Sequence, residues 1–147
     1  VKIDNIEQRT DAIIAAAQAH FTSRVVSEDL LQHYSEHPAA DLQKGVIAVV
    51  SDAEQDYSDD LGMIATEGTQ QLKLICHLQV TEKNPKAPRD VQRAEQKLIE
   101  EIKSFVRAGV DGMTLVLRRA QQSRQLSYPY GFVVADIEAR PPGQNDF

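Results

Sequence analysis

The sequence predicts an α+β fold: an antiparallel, in part mixed, β-sheet with helices packed on one face, in the order α-β-β-α-β-β. Three observations point there. Residues 69–81, TQQLKLICHLQVT, alternate apolar and polar side chains. Residues 89–109, RDVQRAEQKLIEEIKSFVRAG, repeat apolar residues at three-to-four spacing. The remaining apolar runs are short, β-branched and bounded by turn-forming residues.

Each element has its own local reason. Ile3, Ile6, Ile13, Ile14, Ala17 and Phe21 recur with helical spacing around the helix-forming run AIIAAAQA, so residues 4–20 read as an amphipathic helix. The stretch 22–44 is less patterned, with a β-branched pair at Val25 and Val26, a helical turn around Glu28 to His33, and Pro38 as a stop. GVIAVVS, residues 45–51, is a continuous apolar run too short for a typical helix and reads as a buried strand. In the alternating strand, Leu72, Leu74, Cys76, Leu78 and Val80 share one face, which puts Cys76 toward the core. Pro85 and Pro88 separate it from the clearest helix, where Val91, Ala94, Leu98, Ile102, Phe105 and Val106 form the stripe and Gly109 the terminator. MTLVLRR, residues 113–119, and YGFVVADIEA, residues 130–139, are the closing strands, joined by the polar link 120–129.

A chain of 147 residues supports one core, so residues 1–139 are expected to form a single domain. Two prolines and a glycine in ARPPGQNDF make residues 140–147 a flexible terminus by expectation. Hydrophobic residues at 41% and charged residues at 26% match ordinary globular usage. No apolar run approaches the roughly 18 residues that span a bilayer and no apolar leader is visible, so an intracellular location is expected. The single cysteine excludes an internal disulfide and a cysteine metal cluster. A net charge of −6 argues against duplex DNA reading, which rests on Lys and Arg neutralising phosphates.

The most distinctive local chemistry is SDAEQDYSDDLG, residues 51–62, which holds Asp52, Glu54, Asp56, Asp59 and Asp60 with no Lys or Arg. A calcium loop of the EF-hand type opening at Asp52 would need glycine at its sixth position and glutamate at its twelfth, where Tyr57 and Met63 stand. Paired carboxylates for hydrolysis need a fixed separation and a buried member, and a polar loop supplies neither. A solvated link between two strands is the plain structural reading. His20, His33, His37 and His77 show no ligand-spaced pair on a clear element, and RAGVDGM matches neither phosphate-binding glycine motif. No cofactor or metal is expected. Arg118, Arg119 and Arg124 form a basic group after MTLVL, which is either a solvated surface or the complement of an acidic loop on a neighbouring copy.

The leading helix, the strand running into GVIAVVSDAEQDYSDDLG, the return through TQQLKLICHLQV, the proline-marked break, the helix VQRAEQKLIEEIKSFV and two closing strands follow one another over residues 3–139. This succession resembles the tail terminator, or tail completion, proteins of long-tailed bacteriophages and prophages, the family that includes the minor tail protein capping the lambda tail tube. The resemblance implies a non-catalytic structural subunit that self-associates into a six-membered ring on the tail tube protein, stops tube polymerisation and presents a surface to a head-tail connector component. It also implies that DNA passes through without specific binding, that no membrane is involved, and that the protein acts in the bacterial cytoplasm during assembly and in the virion tail thereafter. Residues 52–60 correspond to the family's acidic inter-strand loop, facing the lumen or a partner. Two rival readings stand beside it. A divalent-metal-dependent hydrolase using the 52–60 carboxylates would lose activity when Asp56 or Asp59 becomes Asn; a small non-catalytic protein-binding module would form no ring.

Overall fold

The computed structural model describes residues 5–29, 36–57 and 68–140. Asn5 opens the first helix. Its backbone is extended and its side-chain oxygen accepts a hydrogen bond from the Gln8 N–H at 2.8 Å, satisfying one of the donors a helix start leaves unpaired. Helix α1 (Ile6–His20) buries Arg9, Ile13 and Ala17, a row at i, i+4 and i+8. Ile6, expected in the apolar stripe, is 40% exposed, and Arg9 holds the first core-facing position instead.

The stretch 22–44 departs from expectation because its elements are too short to show a period. Strand β1 (Val25–Ser27) forms only by pairing, parallel to the later strand, with the Val25 N–H on the Gly45 carbonyl at 3.0 Å. Pro38 begins helix α2 (Ala39–Lys44) rather than ending one. Its fixed φ suits a helix start, where a missing N–H costs nothing. Glu28 and Asp29 are not helical, and the rest of the expected turn to His33 lies outside the described residues. Gly45 closes α2 at φ 93°, a left-handed value that also brings its backbone against the Arg24 guanidinium, leaving no space for a Cβ.

Strand β2 (Val46–Gln55) is followed by β3 (Thr69–Gln79), α3 (Pro88–Ala108), β4 (Thr114–Gln122) and β5 (Tyr130–Arg140). Arg140, assigned to the terminus from sequence, is thus the last residue of β5. Residues 141–147 lie outside the described residues. The sheet order is β1-β2-β3-β5-β4, with only the β1–β2 pair parallel. The fold is therefore α+β with a five-stranded mixed sheet, and its element order gains β1 and α2 over the expected one. Pro88 occupies the first turn of α3, and Gly109 at φ 74° ends it, with no atom near its missing Cβ.

One sheet face carries the core. Leu72, Leu74, Cys76 and Leu78 of β3 and Val133, Ala135 and Ile137 of β5 meet Ile13 and Ala17 of α1 and Val91, Leu98, Ile102 and Phe105 of α3. Full burial of each large aliphatic or aromatic side chain contributes roughly 1.5–3 kcal/mol. The expectation of helices on one face holds for α1 and α3 but not for α2. Leu42, Val46 and Ala48 are buried outside the main core, and the His37 ring lies 5.4 Å from that of His77, which alternates away from the core. Helix α2 packs on that face at β3; among the described residues no helix lies on it over β5 and β4, and Ile75, Phe132 and Val134 are half-buried there.

Candidate functional site

The acidic segment begins inside a strand. Beyond Ser51 the strand β2 keeps pairing, with Ala53 opposite Gln71, Glu54 opposite Gln70 and Gln55 opposite Thr69; Asp52 is the extra residue of a bulge. Asp52 and Glu54 therefore lie on β2 rather than in a solvated loop. Asp52 is exposed, and its charge acts on Lys73 of the neighbouring strand. Asp56 follows at φ 59°, a left-handed conformation that Asp tolerates better than most residues. Asp59 and Asp60 lie outside the described residues.

Glu54 differs from its neighbours. Its side chain is 13% exposed, and Oε2 accepts from the Arg9 guanidinium at 2.9 Å and from the Gly68 N–H at 3.1 Å, while Oε1 accepts from the Tyr57 hydroxyl at 2.7 Å. Arg9, 2% exposed, also donates to the Gly68 carbonyl at 2.8 Å. Both ends of the connection between β2 and β3 are thereby tied to α1. A Cβ on Gly68 would lie 2.5 Å from the Gln55 carbonyl oxygen, so the chain can re-enter the sheet only through glycine. Burial works to raise the Glu54 pKa, but the hydrogen bonds from Tyr57 and Gly68 and the Arg9 charge outweigh it and hold the carboxyl below its ordinary range. Beside this clamp Gln70, fully buried, donates to Thr10 Oγ1 at 2.8 Å and to Ser51 Oγ at 3.0 Å.

The three arginines do not form one group. Arg118 and Arg119 sit at a β4 bulge, whereas Arg124 lies beyond the end of β4, five residues or about 17 Å along an extended chain. Arg118 donates to Glu138 at 2.9 Å and Arg140 reaches the same oxygen at 3.3 Å. Arg119 stands opposite Asp136, which holds Lys73 at 2.7 Å. Carboxylates of β5 thus answer the Arg118–Arg119 pair within the chain, with Arg118 lowering the Glu138 pKa most.

The histidines are brought together only in part. His20 packs on Phe21 and Phe105, and His33 lies outside the described residues. His37 and His77 meet through the fold, and burial, then the nearby His37 charge, lowers the His77 pKa. Among the described residues no group of three or more His, Cys, Asp or Glu could hold a metal ion. Cys76 is fully buried among aliphatic side chains, and burial pushes its thiol up to about 12. At pH 8 the native chain should therefore react with a thiol reagent at least about 100-fold more slowly than the unfolded chain. Rapid native labelling would show that the core opens at β3.

Two residues that carry structure were not picked out from sequence. Arg9 stands four residues before Ile13 in the same row, and Glu95 stands four after Val91 on the α3 stripe. A charge in an apolar row was the available signal. Glu95, fully buried, accepts from Ser123 Oγ at 2.5 Å and the Phe132 N–H at 2.9 Å, joining α3 to the β4–β5 turn. No described helix is long and apolar enough to cross a membrane. No protein-family model matches the chain, and no curated protein matches it.

Proposed function

We propose that the chain is a structural subunit of a bacteriophage or prophage tail, closing as a ring on the end of the tail tube, ending tube growth and offering a surface for head joining. The mounting of the acidic segment carries this reading. A passive link between strands needs no buried arginine. Here Arg9 is taken out of water to hold Glu54 and the Gly68 carbonyl, so the described start of the acidic segment, through Glu54, and the chain's return at Gly68 are fixed to α1. Carboxylates repel duplex DNA, which carries about one charge per 1.7 Å of axis, and the repulsion extends over a Debye length of about 8 Å at physiological salt. Facing the lumen or an end of the ring, the segment keeps the passage non-adhesive. The second sheet face over β5 and β4, with half-buried Phe132 and Val134 among ion pairs, offers area for subunit contact.

Light scattering across a concentration series, followed by electron microscopy, tests this. Six-fold rings, and tail tubes that stop growing when the purified chain is added, are the expected results. Tubes that lengthen unchanged, with the chain absent from their ends, would remove the reading. An assembled tail with residues 52–60 on the outer circumference would remove the lumen role alone.

A further inference from the structure

The end of β3 outruns its neighbour. Strand β2 begins at Val46, opposite His77, so Leu78 and Gln79, with Val80 beyond them, run on past it, while the residues before Val46 belong to α2 and its cap Gly45. A hollow of about 390 Å³ occupies the gap. Around it stand Arg24 from the link between α1 and β1, Lys44 at the end of α2, and Ala94, Lys97 and Glu101 on α3. A volume of that size takes a small molecule.

Its walls are charged unequally. Arg24, Lys44 and Lys97 come from three different elements, and Glu101 is the one carboxylate among the described lining residues. Glu101 is already engaged: it accepts from Arg24 Nε at 2.9 Å and from Arg24 Nη2 at 2.5 Å, and the Lys97 and His20 charges act on it as well. Three cations against one carboxylate leave the lining with two positive charges after that pairing is counted. Arg24 is held in place. Its side chain is 12% exposed, its Nη1 donates to the Lys44 carbonyl at 2.9 Å, and the missing Cβ of Gly45 leaves the space in which the guanidinium lies. These bonds use three of the five guanidinium N–H groups, and two remain. Gln79 points the same way. It lines the same hollow, and its Oε1 is buried with no hydrogen-bond partner among the described residues, a condition that folded proteins seldom leave unanswered.

We infer that this hollow binds a small phosphate monoester with a hydroxylated organic part, the chemistry of a sugar phosphate. A terminal phosphate carries close to two negative charges at neutral pH and three oxygens spread about one atom, so it can meet cations from three elements at once; a planar carboxylate offers one charge and two oxygens. The phosphate faces Arg24, Lys44 and Lys97, a ligand hydroxyl answers Gln79 Oε1, and Leu78, Val80 and Ala94 supply the apolar wall. The site does not depend on ring closure, and it stands or falls separately from the tail reading.

Titration of the isotope-labelled full chain with ribose 5-phosphate, followed by NMR, tests it. Saturable shifts gathered on Arg24, Lys44, Gln79, Ala94 and Lys97 are expected, with inorganic phosphate bound at least about tenfold more weakly and ribose alone not bound. Lys44 and Lys97 are exposed, so Lys44→Gln/Lys97→Gln should keep the fold and weaken ribose 5-phosphate about 25-fold, about fivefold per charge. Gln79→Leu should weaken ribose 5-phosphate and leave inorganic phosphate unchanged. No saturable shift up to about 20 mM overturns the site, as does unchanged affinity in the lysine variant. Equal binding of ribose 5-phosphate and inorganic phosphate leaves only an anion-binding surface and overturns the monoester. Shifts on these residues with duplex DNA but not with ribose 5-phosphate assign the cations to a nucleic-acid backbone and overturn it too.

Discussion

Replacing Arg9 by methionine is expected to destabilise the chain by about 3–5 kcal/mol, the usual cost of leaving one member of a buried charge pair alone. In a chain of this length that is a fall of roughly 6–20 °C in Tm. Methionine fills similar volume, so the loss isolates the polar contacts. The Gly68 carbonyl loses its donor, and Glu54, 13% exposed, keeps only Tyr57 and the Gly68 N–H. Adding Glu54→Gln to Arg9→Met should recover part of the loss, because the second change removes the charge left behind. Urea unfolding of the four members of that cycle measures the coupling. A single-variant loss under about 1 kcal/mol would mean that water reaches the clamp freely.

The same carboxylate sets a sign for pH. Its folded pKa is depressed, so its contribution is fully present above its ordinary value of 4.5 and is lost as pH falls through the lower folded value. Unfolding free energy should therefore decline below about pH 4.5, and the decline should be shallower in Arg9→Met, where the Arg9 charge and hydrogen bond no longer depress the pKa.

The second large effect is expected at Glu95. Its four neighbours are all donors: Ser123 Oγ, the Phe132 N–H, the Ser123 N–H at 3.4 Å and Gln122 Nε2 at 3.4 Å. The Glu95 oxygens accept from all four; a glutamine brings an NH2 group against donors. Glu95→Gln should cost about 2–4 kcal/mol although it conserves shape, and Glu95→Leu as much or more, since the Phe132 N–H is then buried without a partner. Gly131 belongs to the same joint. A Cβ there would stand 2.6 Å from Glu95 Oε2 and 2.6 Å from Val91 Cγ1, so Gly131→Ala should cost about 1–3 kcal/mol by forcing α3 from the sheet. Thermal unfolding reads both. If Glu95→Gln is neutral while Gly131→Ala is not, packing rather than hydrogen bonding holds the joint.

The joint bears on the β4–β5 turn. Arg124 and Gln125 adopt φ 63° and 64°, left-handed values that cost of order 1–3 kcal/mol each for residues with a Cβ. Ser123, immediately before them, is held by Glu95 on both its hydroxyl and its N–H. The turn is therefore set from α3, and nothing in its own text, SRQLSYP, announces such a conformation.

Much of the scaffold was legible because it follows from local period. The alternation at 69–79 places Cys76 in the core whatever strand lies beside it, and the 3.6-residue stripe of α3 selects its buried face before any partner is known. Glu95 was missed because a single acid hardly alters that stripe, and its role depends on donors from residues 122–132. The acidic segment was legible as composition only. That Asp52 and Glu54 extend a strand follows from pairing with residues 70–72, which the polar text of 51–55 does not signal.

The sequence by itself determined the two long central strands, the two main helices and which of their faces turn inward, since side-chain periodicity is a property of neighbours along the chain. Tertiary structure alone decided that Val25–Ser27 is a strand, that α2 packs on the second face at β3, that Glu54 belongs to Arg9 and that Glu138 answers Arg118. These are pairings across tens of residues. Their energies depend on distance and burial, which only the folded chain supplies.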